Sequence, residues 1–272
     1  MLDILRSARL LDRSSDLAGG DILYPFALEE LLCREVGKGA DPIVHLWRHP
    51  RAFVMGLRDS RLPGAVQAKS SLTEQGYAVT VRNSGGAAVP LDAGVINMTI
   101  IIPKAEGKID FHDDFERMYQ LVSRTLSNWT DKVRKGEIGG SYCPGDYDLS
   151  IDGRKFCGIA QRRLLKAIAV QAFIVVEGKG MDYAEGAQAF YEQAACGQEA
   201  DYPQVTSHSM VSLAEAIGEH VTAQSYLEEI KSTLNQLEAD KIMKLEQLPA
   251  PTDVESMIGT LRDRYDIPSP RK

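Results

Sequence analysis

The sequence lacks the residue spacings that would bind a metal ion or a nucleotide. Its four cysteines form no C-x-x-C pair, and its five histidines form no cluster at metal-ligand spacing. The glycine-bearing stretch at residues 83–86 matches neither G-x-x-x-x-G-K-[ST] nor G-x-G-x-x-G. These absences argue against a zinc site, a disulfide framework and nucleotide folds of those two types, so we expect reduced thiols and no metal.

Long apolar segments and an excess of positive charge are also missing. No apolar run reaches the length of a membrane span, and charges interrupt the N-terminal residues throughout, unlike a signal peptide. A net charge of −7 argues against a nucleic-acid-binding surface. The composition, 44% hydrophobic and 25% charged, is ordinary for a globular protein. We therefore expect a cytoplasmic protein that binds neither membrane nor nucleic acid.

The periodicity of apolar residues predicts helices and strands in mixed order. We expect the segment Leu10–Asp16 to be a short lead-in without regular structure. Helical spacing predicts helices at 26–36, 65–76, 112–129, 183–195, 212–217, 223–245 and 254–265. Runs of β-compatible residues predict strands at 43–47, 52–55, 77–82, 95–103 and 167–176.

One glycine-bearing loop follows the predicted strand at 77–82. The sequence Ser84-Gly85-Gly86 lets backbone N–H groups approach a ligand closely, which suits a phosphate, a carbonyl or a developing oxyanion. A tight β-turn without any ligand explains the same residues equally well. The sequence alone leaves both readings open.

A second stretch contains a predicted hairpin. Asp152-Gly153 favours a two-residue type I′ turn between two short strands. That turn predicts the pairs Ile151–Arg154, Ser150–Lys155, Leu149–Phe156 and Asp148–Cys157. Strand alternation then predicts that one face is polar, with Asp148, Ser150, Lys155 and Cys157, and that the opposite face turns Tyr147, Leu149, Ile151 and Phe156 toward a core.

Cys143 precedes this hairpin in a loop rich in glycine and proline. A loop thiol near the ammonium of Lys155 is a candidate nucleophile, because the thiolate is the reactive form. The alternatives are an inert buried thiol and a solvated lysine that pairs with Asp148, and spacing alone favours the solvated lysine. Cys33 is predicted to be core filler, and His45 and His49 to be structural rather than catalytic.

Two motifs resemble the lipoate ligase and octanoyltransferase superfamily. The stretch Arg82-Asn-Ser-Gly-Gly-Ala-Ala-Val, followed by Asp92 and Asn97, is similar to the family's Arg-x-Ser-Gly-Gly-(Gly)-Ala-Val…Asp motif. The stretch Gly153-Arg-Lys-Phe-Cys-Gly-Ile-Ala-Gln161 is similar to its Gly-x-Lys-x-x-Gly-x-(Ala/Ser)-Gln motif. The resemblance implies an α+β fold with mixed β-sheets flanked by helices, like that of the biotin/lipoate protein ligases. We expect one catalytic domain over 1–272, with its core at about 25–245 and a helical extension at about 250–266.

The resemblance also implies roles for particular residues. Lys155 would be the active-site lysine near the acyl carbonyl, and Cys143 the nucleophile. The other residues that it implies bind the substrate are Arg82, Ser84, Gly85, Gly86, Asp148, Gly158 and Ala160.

Departures from the ligase pattern favour one subclass. Ligases carry a third glycine and a histidine where this sequence has Ala87 and Leu91, and large bacterial ligases append an accessory domain for which few residues remain here. The stretch Gly-Ser-Tyr-Cys-Pro-Gly around Cys143 resembles the cysteine-loop amidotransferases. Those enzymes move octanoyl groups from the glycine-cleavage H protein to lipoyl domains of 2-oxoacid dehydrogenase E2 subunits, without a cofactor.

That resemblance implies a thioester mechanism. Cys143 would attack the octanoyl carbonyl, Lys155 and backbone N–H groups would stabilise the oxyanion, and Lys155 would protonate the leaving lysine amine. Three alternatives stay open: an octanoyltransferase that uses acyl carrier protein as donor, an ATP-dependent lipoate ligase, and a non-catalytic module that binds an acylated carrier.

Overall fold

A computed structural model describes residues 1–104 and 111–267. Within these residues the strands are β1 (Arg9–Arg13), β2 (Ile43–Trp47), β3 (Arg51–Met55), β4 (Ala78–Val81), β5 (Val89–Asp92), β6 (Val95–Pro103), β7 (Arg134–Lys135), β8 (Leu149–Ile151), β9 (Arg154–Arg163), β10 (Ala167–Val175) and β11 (Lys241–Ile242). The α-helices are α1 (Tyr24–Val36), α2 (Ala65–Glu74), α3 (Phe111–Leu126), α4 (Gly180–Ala195), α5 (Leu213–Ile217), α6 (Ala223–Gln236) and α7 (Pro251–Tyr265). Short 3₁₀ helices occur at Leu2–Leu5, Asp59–Arg61 and Leu245–Gln247. No helix among these residues is both long and apolar enough to cross a membrane.

The large sheet has the strand order β11-β1-β2-β6-β10-β9-β8-β7. Its centre is the antiparallel pair of β6 and β10, two apolar nine-residue strands that pair over their full length. On one face of this sheet, α1 packs against β6 and β10, and α7 packs against α1. On the other face, α3 packs against β9 and β10, and α6 packs against α3. Because both faces are covered, the central strands are almost continuously buried.

A small sheet of order β4-β3-β5 joins the core on the α1 side. Helix α4 packs against β5 and α2, and α2 packs against β4. The glycine-bearing loop connects β4 to β5, so it leaves this small sheet in the direction of the large one, where Gly85 N donates to Gln161 O of β9 at 3.4 Å. The predicted α+β class with mixed sheets and flanking helices is confirmed.

Two boundary predictions are wrong at the edge of the large sheet. The segment predicted as a lead-in contains β1, which pairs in parallel with β2. The helix predicted to run to residue 245 ends at Gln236, because Glu238 adopts a left-handed φ of 57°. The chain then crosses to form β11, which pairs in parallel with β1. The predicted helix start at Ser212 is confirmed, since Ser212 and Glu215 form a capping box.

The hairpin register is correct at the turn and wrong beyond it. Ile151 pairs with Arg154 and Ser150 with Lys155 as predicted, but Leu149 pairs with Cys157. Phe156 is therefore an extra residue on β9, a β-bulge. The predicted pairs Leu149–Phe156 and Asp148–Cys157 do not form.

The bulge reverses the predicted direction of one side chain. Phe156 and Cys157 both enter the core on the α3 side, so Cys157 does not share a polar face with Lys155. Alternation resumes after the bulge, and Gly158 then faces the same side as Lys155: a Cβ at Gly158 would lie 3.2 Å from Lys155 Cε. Tyr147, predicted to face a core, is half-buried and stacks on Phe115.

Candidate active site

Cys143 lies in the loop between β7 and β8, at a left-handed φ of 48°. Its side chain is buried, with 8% of the residue exposed. Its Sγ accepts hydrogen bonds from Ala87 N at 3.1 Å and from Arg82 Nη2 at 3.2 Å. A backbone N–H and a guanidinium are donors only, so the sulfur is the acceptor in both contacts.

Glycines allow the loop after β4 to approach the thiol this closely. Gly86 has a φ of 92°, and a Cβ there would lie 2.7 Å from Cys143 Sγ and overlap Arg82 Nη2. Gly56, at the end of β3, lies directly against the backbone of Gly86, where any Cβ would overlap the carbonyl oxygen. The Ser-Gly-Gly sequence is therefore more than a tight turn, because its backbone contacts the candidate nucleophile.

Lys155 is fully buried and holds the cysteine loop by its ammonium group. Its Nζ donates to Tyr142 O at 2.8 Å and to Cys143 O at 2.7 Å, and it forms an ion pair with Asp148 Oδ1 at 2.8 Å. The sequence also allowed a solvated lysine that pairs with Asp148. The pairing is present, but the lysine is not solvated, since Lys155 has 0% exposure. Neighbouring segments explain this difference, since the cysteine loop accepts the ammonium hydrogen bonds and residues 209–211 pair with the Lys155 backbone, where Lys155 N donates to Ser209 O and Val211 N donates to Lys155 O, both at 2.9 Å.

Asp148 lies behind Lys155 and is itself buried. Burial raises the pKa of the Asp148 carboxyl, while the ion pair with Lys155 and the N–H of Gly145 act in the opposite direction. The three donors of the Lys155 ammonium are thus matched by two carbonyls and one carboxylate. The arrangement fixes the backbone on both sides of the thiol.

An apolar cavity begins at Cys143 and encloses about 460 Å³ together with the solvent at its mouth. Its floor follows the strand register across the sheet, from Gly158 of β9 to Phe173 of β10, Asn97 of β6 and Trp47 of β2. Adjacent strands are about 4.8 Å apart, so these four positions span roughly 14 Å. The residues that line the cavity are Phe26, Trp47, Val54, Arg82, Val89, Leu91, Asn97, Thr99, Cys143, Gly158, Ile159, Ala160, Gln171, Ala172 and Phe173.

A buried polar cluster adjoins the floor of this cavity. Glu29 of α1 accepts from Thr99 Oγ1 at 2.7 Å and from Gln171 Nε2 at 2.6 Å, and it contacts His45 Nδ1 at 2.9 Å. These contacts give His45 a structural partner. Asn97 Nδ2, also at the cavity, has no hydrogen-bond partner in the described part of the chain.

A second, open groove reaches the same place from outside. Ser84, Gly85, Gly86 and Ala87 line one side of it, and Pro144, which follows the candidate nucleophile, lies within it. Arg58, Asp59, Asp201, Tyr202 and Pro203 line the remainder. The cysteine loop therefore borders both an apolar cavity and a more polar groove.

Most of the predicted site residues come together. Arg82, Gly86 and Lys155 contact the cysteine loop, Ser84 and Gly85 line the groove, and Gly158 and Ala160 line the cavity. Asp148 lines neither space and contacts Lys155 instead. Sequence reasoning gave no role to Phe173, which stacks on Tyr142 beside the cavity, or to Asp59 of the groove. Within residues 1–104 and 111–267, no three His, Cys, Asp or Glu side chains are placed to bind one metal ion.

Comparison with known proteins identifies the family of this fold. Residues 21–235 match the lipoyl protein ligase A/B catalytic domain family, and the chain belongs to that family. An octanoyl-[GcvH]:protein N-octanoyltransferase of Geobacillus kaustophilus is 41% identical over 83% of this chain and 81% of its own length. The enzyme of the same name from Anoxybacillus flavithermus is 40% identical over 80% and 79%. A lipoyl-[GcvH]:protein N-lipoyltransferase of Listeria monocytogenes is 34% identical over 86% and 85%.

Solved structures share the fold. Lipoate-protein ligase A bound with ATP superposes with a TM-score of 0.69 at 18% identity, over 95% of both chains. A bipartite lipoate protein ligase from Thermoplasma acidophilum gives 0.68 at 18% identity, over 98% of both chains. The superfamily resemblance, the fold and the acyltransferase class predicted from the sequence are confirmed.

Proposed function

We propose that this protein transfers an octanoyl group from the octanoyl-lysine of glycine-cleavage H protein to the lysine of lipoyl domains of 2-oxoacid dehydrogenase E2 subunits, through a thioester on Cys143. The observation that carries the proposal is the position of the Cys143 thiol. It lines the apolar cavity with two N–H donors on its sulfur, and the adjoining residues Pro144, Gly86 and Ala87 line the open groove. The names of the two relatives at about 40% identity support the same donor.

The two spaces suit the two parts of an acylated lysine. The cavity, walled by Phe26, Val54 and Phe173, buries an apolar acyl chain, which is favourable by about 25 cal/mol per Å² of apolar surface. The groove between residues 84–87 and 201–203 is open to solvent and admits the lysine side chain of a carrier domain. The reacting carbonyl then lies beside Cys143.

The first step breaks an amide and forms a thioester. The Cys143 thiolate attacks the octanoyl carbonyl carbon, and the Ala87 N–H and the Arg82 guanidinium lie next to the oxyanion that develops. The C–N bond then breaks, and the lysine amine leaves with a proton. Lys155 is the proposed acid, and it also keeps the cysteine loop in place through the Tyr142 and Cys143 carbonyls.

The second step restores the enzyme. The lysine amine of the acceptor domain attacks the thioester carbonyl, the C–S bond breaks, and the amine proton returns to Lys155. One amide bond is broken and one is formed, so the exchange needs neither ATP nor a redox partner. The same N–H donors face the second oxyanion.

Intact mass spectrometry of the acyl-enzyme tests the proposal. The protein is mixed with octanoylated H protein, with octanoyl-acyl carrier protein, or with octanoate and ATP, each without acceptor. We expect one octanoyl adduct on Cys143 from the H protein and none in Cys143→Ala. An adduct that forms only with octanoyl-acyl carrier protein would favour acyl carrier protein as the donor. Formation of an acyl-adenylate from octanoate and ATP would favour a ligase. Binding of octanoylated H protein without any adduct would favour a non-catalytic module.

A further inference from the structure

A buried tyrosine contacts the loop that reaches the thiol, and a buried aspartate contacts that tyrosine. Tyr191 of α4 accepts a hydrogen bond from Ala88 N at 3.0 Å and donates one to Asp59 Oδ1 at 3.1 Å. Asp59 also accepts from Gly56 N at 2.7 Å. Tyr191 is 1% exposed and Asp59 is 2% exposed, so neither hydrogen bond competes with bulk water.

These contacts fix one peptide group next to the nucleophile. The carbonyl oxygen of Ala87 accepts from Arg82 Nη2 at 2.8 Å, and the N–H of Ala88, in the same peptide plane, is held by Tyr191. The Ala87–Ala88 peptide is thus held on both edges. The N–H of Ala87, one residue earlier, is the backbone donor to Cys143 Sγ.

Burial acts on both groups of the Tyr191–Asp59 contact. Burial, and then the negative charge of Asp59, raise the pKa of Tyr191, so its hydroxyl keeps its proton. Burial raises the pKa of Asp59, while the hydrogen bonds from Gly56 and Tyr191 and the charge of Arg82 oppose that rise. Tyr191 belongs to α4, and Asp59 accepts from Gly56 N at the end of β3, so both residues lie outside the loop that they position.

We propose that Tyr191 and Asp59 are positioning residues that aim the Ala87 N–H at Cys143 Sγ. This role deepens the acyl transfer proposed above, because the same N–H would face the oxyanion. Neither side chain hydrogen-bonds to the sulfur: Tyr191 acts through the Ala87–Ala88 peptide, and Asp59 acts through Tyr191. The other titratable or charged groups around Cys143 come from different elements: Arg82 after β4, Lys155 of β9 and Tyr142 of the same loop.

Tyr191→Phe tests this role, since it removes the hydroxyl and keeps the ring that stacks on Tyr202. The rate of Cys143 alkylation by iodoacetamide is followed against pH, with peptide mapping to separate Cys143 from the exposed Cys196. Loss of one aimed donor to a thiolate amounts to about a tenfold effect. We expect alkylation at neutral pH to slow by about tenfold, the midpoint of the pH profile to rise, and kcat to fall by a similar factor with KM unchanged.

Tyr183→Phe is the matched control. Tyr183 lies on the same helix, is similarly buried and donates to Asp92 Oδ1 at 2.7 Å, but it contacts neither the loop 84–88 nor Cys143. We expect its pH profile to match that of the wild type. The positioning role would be overturned if both variants lowered the melting temperature equally while Tyr191→Phe left the midpoint of the pH profile and kcat unchanged.

The alkylation assay needs no acyl donor, which separates this inference from the proposed function. A shifted midpoint in Tyr191→Phe supports the positioning role even where the wild type forms no acyl-enzyme, and the missing acyl-enzyme then counts against the proposed function alone. Asp59→Asn gives a second test, because an amide oxygen accepts one of the two hydrogen bonds of the carboxylate. We expect it to shift the midpoint in the same direction.

Discussion

Cys143 and Cys157 are both buried thiols close to Lys155, yet their surroundings differ. Cys143 Sγ receives hydrogen bonds from Ala87 N and Arg82 Nη2 and borders a cavity. Cys157 is fully buried in the core on the α3 side, and burial raises the pKa of its thiol despite the nearby charge of Lys155. The comparison teaches that burial beside a lysine does not by itself produce a nucleophile. Aimed N–H donors and access to a substrate space distinguish the two positions.

Replacement of Cys143 should have the largest effect. Cys143→Ala removes the proposed nucleophile, and we expect octanoyl transfer to fall by at least about 10⁴-fold, to the background rate. The loop is held by Lys155 through backbone carbonyls, so the melting temperature should change little. Transfer from octanoylated H protein, with thermal unfolding as the folding control, gives the measurement. Full activity in this variant would end the thioester mechanism.

Replacement of Gly86 should disturb Cys143 without touching Cys157. In Gly86→Ala the new methyl group meets Cys143 Sγ and Arg82 Nη2, at a φ of 92° that alanine rarely adopts. Misplacement of reacting groups by about 1 Å costs on the order of 10²-fold, and the lost Arg82 contact adds to this, so we expect about a thousandfold loss of transfer. Gly139→Ala is the control, since a Cβ at that exposed loop position meets no atom within 4 Å. Similar losses in both variants would contradict the steric argument.

Lys155 lies between the two thiols, and its replacement should have a smaller effect than either change above. Lys155→Arg keeps the positive charge, but a planar guanidinium does not readily give up a proton and fits the two carbonyls and Asp148 poorly. We expect transfer from the octanoyl-lysine amide to fall by at least about a hundredfold. A thioester donor, whose leaving group needs no proton, should lose less. Equal losses with both donors would restrict Lys155 to charge stabilisation and loop positioning.

The sequence predicted which residues meet at the candidate site better than it predicted their geometry. Two motifs contain Arg82, Gly86 and Lys155, and the structure brings all three to the cysteine loop. The I′ turn at Asp152-Gly153 predicted the first two hairpin pairs correctly, since such a turn fixes only the residues beside it. The bulge at Phe156 depends on tertiary packing against the core and on the segment that pairs with Lys155, neither of which has a local signal.

Long-range contacts outside the two motifs could not be predicted. Asp59 and Tyr191 are 132 positions apart in the chain, and neither lies in a motif. The edge strands β1 and β11 are also stabilised by pairing between distant segments rather than by their own short sequences. The wrong end predicted for α6 follows from the same cause.

Cys157 gives the smallest expected effect and the sharpest contrast with Cys143. Cys157→Ala should leave octanoyl transfer within about twofold of the wild type and lower the free energy of unfolding by about 1 kcal/mol at pH 7, because it removes one buried sulfur atom. In the folded protein, burial keeps the Cys157 thiol protonated above its ordinary pKa of about 8.5, whereas the unfolded chain loses that proton. Above that pH the unfolded state therefore binds fewer protons than the folded state, and this thiol makes the wild type less stable as the pH rises.

Alanine at position 157 removes this contribution, so the stability difference between the two proteins should shrink between about pH 8.5 and 10, by at most about 1.4 kcal/mol per pH unit. Cys33, whose pKa burial also raises, is present in both proteins and cancels in the difference. Urea unfolding of both proteins at several pH values gives the measurement. A stability difference that stays constant up to pH 10 would show that Cys157 ionises in the folded protein, and the distinction drawn here between the two thiols would then fail.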